Sequence, residues 1–227
     1  MNPLLDFTGL PRYTEVRPEH VTPAVDRLLA ENRALVERLA TDAAAPTWDR
    51  FVQPLEDANE RLSRAWGQVS HLHSVMDSPE LRAAYNENLP KITQYYAELS
   101  QHEGLYRKYK ALAASEEYPR LSAARRRIID NALRDFKLGG AELPADKKAR
   151  FKAIQEELSK LSAKFEENLL DATNAWSKLI TDEGELAGVP EDVKQMFREQ
   201  AEADGKAGFK LNPVSYTHLT LPTIYSV

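Results

Sequence analysis

Between Phe151 and Phe165 the apolar residues are Phe151, Ile154, Leu158, Leu161 and Phe165, alternately three and four apart. That spacing places all five on one side of a helix of 3.6 residues per turn. A strand, whose faces alternate every second residue, cannot do so. No Gly or Pro interrupts the run. The pattern predicts a helix from about Pro144 to about Leu179, the longest of the chain, with a seam that packs against another element. With helical patterns along most of the chain, the expected fold class is all-α, built from long, antiparallel and kinked helices.

The rest of the chain reads the same way. Residues 1–19, punctuated by Pro3, Pro11 and Pro18, predict an extended, turn-rich lead-in. Thr22 and Pro23 suit a helix start, as cap and first position. Val25, Leu28, Leu29, Leu35, Val36 and Leu39 follow at helical spacing, interrupted by the polar Asn32. Thr47 is the next cap, before a stripe of Phe51, Leu55, Ala58, Leu62, Trp66, Val69 and Leu72, with Pro54 in its first turns or at a kink. Ser78 and Pro79 start a third helix, bent at Pro90, whose face continues through Tyr106, Tyr109 and Leu112. A fourth runs from about Ser122 to Lys137 and stops at Gly139-Gly140. Pro190 opens the last helix, which ends at Gly205. Gly208–Leu211 reads as the first residues of a strand whose partners are missing.

Composition narrows the function classes. Residues are 42% hydrophobic and 29% charged, which suits a packed core and argues against disorder. The net charge of −5 gives no reason to expect a nucleic acid or an anionic membrane as partner. There is no Cys, hence no disulfide framework and no thiolate nucleophile. No basic n-region and apolar core open the chain, and no apolar run reaches the roughly 20 residues of a membrane span. The expected location is the cytoplasm.

Candidate chemistry is sparse. His71 and His73, two apart on a helix, stand about 200° apart around its axis and cannot chelate one metal together. His102-Glu103-Gly104-Leu105-Tyr106 approaches the zinc motif His-Glu-x-x-His, but Tyr106 replaces the second imidazole, so the segment reads as structural. Glu156-Glu157 and Glu166-Glu167 read as the solvated flanks of the apolar seam. Glu98 and Glu103 read as water-facing or inter-helix groups. Arg125-Arg126-Arg127 reads as a solvated helix face rather than a nucleic-acid patch. No residue is assigned as catalytic, cofactor-binding or metal-binding.

Three blocks carry a family likeness. Phe51–Tyr96 (FVQPLEDANERLSRAWGQVSHLHSVMDSPELRAAYNENLPKITQYY), Gln101–Leu112 (QHEGLYRKYKAL) and Ile128–Trp176 resemble the N-terminal region of the thimet-oligopeptidase family of zinc metallopeptidases. The Asp-Phe-x-x-x-Gly-x-x-Leu-Pro segment and the Leu-Ser-x-Leu-Ser-x-x-Phe helix carry it most strongly, and the likeness extends from about Asn2 to Leu211. The resemblance implies a cytoplasmic peptidase that hydrolyses short peptides in a deep channel, with these helices as one wall. It implies zinc in the full-length parent, held by a His-Glu-x-x-His helix and a downstream Glu. Those ligands lie beyond position 211 in the family and map onto no residue here. The fragment is expected to hold no zinc and to be inactive without the missing C-terminal catalytic region of its own chain.

On this reading residues 1–19 are the lead-in and residues 20–180 the helical N-terminal domain. Residues 181–211 start a truncated central region. Residues 212–227 form a foreign tail: from Val214 the sequence VSYTHLTLPTIYSV lacks any Asp, Glu, Lys or Arg and resembles a translated sequencing adaptor, the alternative being a genuine C-terminal strand. The competing reading of the whole chain is a complete helical interaction or scaffold protein that uses the seam over residues 151–165 to bind a partner helix. A nucleic-acid-binding helical domain would rest on Arg125–Arg127 alone.

Overall fold

A computed structural model describes residues Asn2–Pro213. They form seven α-helices and one two-stranded sheet, so the all-α expectation holds. The chain divides into two compact units, Met1–Leu161 and Ser162–Val227.

The first unit is built on α1 (Pro18–Thr41), α2 (Gln53–Val75) and α3 (Pro79–Ser100), with α1 packed on both others. α4 (Glu103–Ala113) and α5 (Ala123–Leu138) close over one end. There Val36, Leu39, Trp48, Phe51, Leu55, Leu105, Tyr109, Leu112, Ile129 and Phe136 share one core. Most of them come from the apolar stripes of their helices, while Trp48 and Phe51 come from the turn ahead of α2.

α1 starts earlier than its sequence predicts. Pro18 takes the first position, and His20 Nδ1 accepts the backbone N–H of Arg17 at 3.0 Å. Val21 is fully buried, and a helix already formed there carries it into the core. Thr22 is therefore no cap: its hydroxyl accepts Asn88 Nδ2 from α3 at 2.8 Å, while Pro23 sits inside the helix and forgoes one backbone bond. Two other caps stand where the sequence places them. Thr47 accepts the N–H of Arg50 ahead of a π-turn at Trp48–Val52, and Ser78 accepts that of Leu81. Pro54 lies in the first turn of α2, directly after the π-turn.

The third predicted helix is in fact two. It breaks at Gln101–His102, because the His102 side chain accepts the N–H of Leu105 and caps a new helix, α4. α5 ends in a Schellman turn: the Ala141 N–H reaches Phe136 O at 2.9 Å and the Gly140 N–H reaches Lys137 O at 3.1 Å. Gly140 has φ +90°, a conformation open to glycine at little cost.

The predicted long helix is α6 (Ala145–Ala175), at 31 residues the longest among the described residues. It stops short of Leu179, which belongs instead to strand β1 (Lys178–Ile180). Its packing reverses the expectation. Lys148, Lys152 and Ser159 turn toward α3 and α4, meeting Glu103 at 2.5 Å, Glu98 at 3.4 Å and Thr93 at 2.7 Å. The apolar seam faces outward: Leu158 is 52% exposed, Leu161 59% and Phe165 69%.

The second unit pairs β1 antiparallel with β2 (Phe209–Leu211), Ile180 opposite Phe209. The strand read from Gly208 onward thus has its partner, one that looks helical in sequence because it continues the α6 pattern. α7 (Glu191–Ala203) covers the hairpin, and Ile180, Leu186, Phe197 and Phe209 form a small separate core. At Gly208, φ +117°, a Cβ would lie 2.5 Å from Ile180 O, so the close strand approach requires glycine.

Candidate functional site

The near-motif at His102 is a piece of helix architecture. His102 is the N-cap of α4, and its Nε2 lies 3.6 Å from Glu37 of α1. Glu103 points away to Lys148, whose hydrogen bond holds its carboxyl below the ordinary value. Tyr106 is buried and donates its hydroxyl to Glu142 at 2.7 Å. That bond and desolvation push its pKa up to about 12. The three side chains diverge into separate contacts and share no ligand position, which supports the structural reading of this segment.

The other histidines diverge as well. His73 is buried and stacks on Tyr85 at 4.2 Å, nearly parallel, while His71 is exposed beside Tyr13. Among the described residues no group of three or more His, Cys, Asp or Glu is arranged to hold a metal. The described residues therefore do not fit a zinc ion. The arginine cluster also splays apart. Arg125 stacks over the Trp48 ring at 4.8 Å, and Arg126 donates to Pro119 O at 3.0 Å. These are packing roles rather than a patch aimed at one ligand.

What the helices do bring together is polar. Asn32, the interruption in the α1 stripe, is buried and donates to Ala58 O at 3.2 Å and to the Tyr95 hydroxyl at 3.3 Å. Tyr95 in turn donates to Asn59 Oδ1 at 2.7 Å, and burial raises its pKa to about 12. This network ties α1, α2 and α3 in one register, since a buried amide left unpaired is costly. Glu98 is the second hub and joins α1, α3 and α6. It accepts from Gln94 at 2.6 Å, Arg33 at 3.2 Å and Lys152 at 3.4 Å. Partial burial acts to raise its pKa, but those hydrogen bonds outweigh it and hold the carboxyl below the ordinary value.

Beside these hubs a cleft of about 390 Å³ opens between α2, α3, α4 and α5. Leu55, Leu99, Phe136 and the rings of Tyr96 and Tyr109 line it, with Glu56, Asn59 and Asp135 as its polar groups. Desolvation, then the neighbouring Asp57, raises the pKa of Glu56. Such a wall can hold an extended apolar group and accept a hydrogen bond, but it contains no nucleophile paired with a base. Sequence reasoning passed over Glu56. It follows Leu55 on the polar flank of its helix, and its role arises only when three other helices surround it.

The comparisons with known proteins agree with the blocks of likeness. The family model described as "Neurolysin/Thimet oligopeptidase, N-terminal domain" matches residues 25–148. Oligopeptidase A of Salmonella typhimurium is 45% identical over 210 residues, 92% of this chain and 31% of its own length. Oligopeptidase A of Escherichia coli is 44% identical over the same number of residues and the same shares. A protein of Arabidopsis thaliana named probable cytosolic oligopeptidase A is 39% identical over 204 residues, 90% of this chain and 29% of its own. The chain thus spans about a third of the length of the curated relatives it matches. With the family model covering more than half of the chain, this protein belongs to the neurolysin/thimet oligopeptidase family, through that family's N-terminal domain.

Proposed function

We propose that the chain is the N-terminal helical part of an oligopeptidase A-like zinc endopeptidase that hydrolyses short peptides in the cytoplasm. The observation that carries this reading is identity of 45% sustained across 92% of the chain. In this reading the helices of the first unit supply one wall of the substrate channel. The wall positions peptide and excludes water, while zinc and its ligands come from the part of the longer protein that this chain does not span. The helical N-terminal domain occupies residues 20–180 and a further region starts over 181–211. Residues 212–227 are foreign to both.

On this reading the chain is inactive alone, because a hydrolytic zinc site takes three protein ligands and an open position. A chimaera tests this. The matching N-terminal portion of E. coli oligopeptidase A is replaced by residues 1–211, and cleavage of a short peptide is followed beside the isolated chain. Cleavage by the chimaera and none by the isolated chain is the expected result. Chelator-sensitive cleavage by the isolated chain would overturn it, as would a folded but inactive chimaera.

A further inference from the structure

The cleft between α2, α3, α4 and α5 is unbalanced in charge. Glu56 and Asp135 line it, and no Lys or Arg stands among its lining residues. Asp135 already accepts from Arg134 at 3.0 Å. Glu56 has neither an ion pair nor a hydrogen bond among the described residues, and desolvation disfavours its charge. Tyr109 lines the same cleft and is only 2% exposed, yet its hydroxyl has no hydrogen-bond partner among the described residues. A phenol so deeply buried ordinarily finds one. Burial and then the Glu56 charge raise its pKa, so the two groups share one part of the cleft. Asn59 adds a donor. Its Oδ1 accepts from Tyr95 at 2.7 Å and from Asn32 at 3.4 Å, which fixes the amide and leaves its NH2 group for something outside that network.

We propose that the cleft is a subsite for one basic side chain, arginine or lysine, of a short peptide, with Glu56 as its counter-ion. The aliphatic stem of such a side chain suits the apolar walls, and its cation suits the rings of Tyr96, Tyr109 and Phe136. The Tyr109 hydroxyl accepts an N–H of the cation, and the Asn59 amide donates to a peptide carbonyl. An acidic side chain is disfavoured, because it would meet Glu56 and Asp135 with no lining cation to balance it.

The cavity of about 390 Å³ lies at the small end of ligand sites, roughly 300–1,000 Å³, a size for one side chain and its adjoining peptide units. Its walls run from Leu55 to Phe136, so the first unit forms the cleft by itself. The choice of a peptide as carrier of the cation rests on the peptidase reading.

Isothermal titration calorimetry on the full chain tests the proposal with blocked tripeptides, acetyl-Gly-X-Gly-amide, where X is arginine, citrulline or glutamate. Citrulline keeps the shape of arginine without its charge. The arginine peptide is expected to bind ~10-fold more tightly than the citrulline peptide, and the glutamate peptide more weakly than either. Glu56→Gln should abolish the preference for arginine. Glu56 keeps one side open to solvent, so helicity by circular dichroism should be unchanged. Glu60→Gln, one turn further along α2 and outside the cleft, should leave the preference intact. Equal binding of arginine and citrulline, no binding of arginine, or a preference that survives Glu56→Gln would each overturn the proposal. So would loss of arginine binding when the metal-stripped remainder of E. coli oligopeptidase A is added, since the cleft would then belong to the contact between the two parts. The chimaera separates this outcome from the peptidase reading. Cleavage by the chimaera, beside an isolated chain that does not distinguish arginine from citrulline, would sink the subsite alone. An inactive chimaera beside an intact preference for arginine would sink the peptidase reading alone.

Discussion

Asn32 shows how one polar side chain decides register. Its amide is the shared donor for an α2 carbonyl and an α3 hydroxyl, so Asn32→Ala strands an acceptor in the core and opens a small void. A loss of about 2–3 kcal/mol is expected in urea unfolding, and a loss under about 0.5 kcal/mol would show that the network does not hold the helices. Glu98 makes a different kind of prediction. Its folded carboxyl lies below the ordinary 4.5, so the unfolded chain binds that proton more readily than the folded one. Its contribution is present above pH 4.5 and is lost as pH falls through the depressed value. The side chain is 40% exposed, so solvent screening reduces the amount to well under about 1 kcal/mol. Glu98→Gln should lower stability slightly at neutral pH and flatten the acid limb of a melting-temperature profile. An unchanged acid limb would remove Glu98 from the account.

At the scale of elements, ends are decided by small local groups. Gly140→Ala forces a Cβ into a left-handed turn and toward Leu143, with an expected cost of about 1 kcal/mol or more. Gly208→Ala should do more damage, because its Cβ would meet the Ile180 carbonyl oxygen at 2.5 Å and separate β1 from β2. Amide exchange within Lys178–Ile180 and Phe209–Leu211 should accelerate markedly in that variant while α1–α3 stay protected. Protection unchanged at the hairpin would mean that the strands do not pair as described. The split of α3 from α4 follows the same logic. Apolar spacing continues straight through Gln101–His102, yet a histidine that caps the next turn ends one helix and starts another. In α3 and α4 periodicity reports the buried face, and it is blind to a break that preserves the face.

At the scale of the molecule, the first unit carries the larger core, and the second closes a small core around Phe197. The terminal segment Val214–Val227 lies outside the described residues. Read as foreign to the fold, it should be dispensable: deleting it is expected to leave helicity and the melting temperature nearly unchanged. A large drop on deletion would establish it as a native strand. The exposed α6 seam also belongs to this scale. In sequence it looked like a packed helix face, whereas Leu158, Leu161 and Phe165 are exposed.

The sequence by itself determined the helical class, the approximate positions of most helices, two of their caps, and the family. These depend on local rules: apolar spacing, hydroxyls and prolines at helix starts, and blocks of identity that survive without knowledge of contacts. It also led to a structural reading of the His102 segment, because a missing imidazole is visible in one dimension. Tertiary structure alone decided where α1 begins, since burial of Val21 outweighs the later Thr-Pro signal. It alone placed Glu56 in a cleft and paired β1 with β2, because both depend on residues far apart in the chain. The direction of α6 was decided there too. An amphipathic helix has two faces to offer its neighbours, and here Lys148 and Lys152 on the polar one meet Glu103 and Glu98.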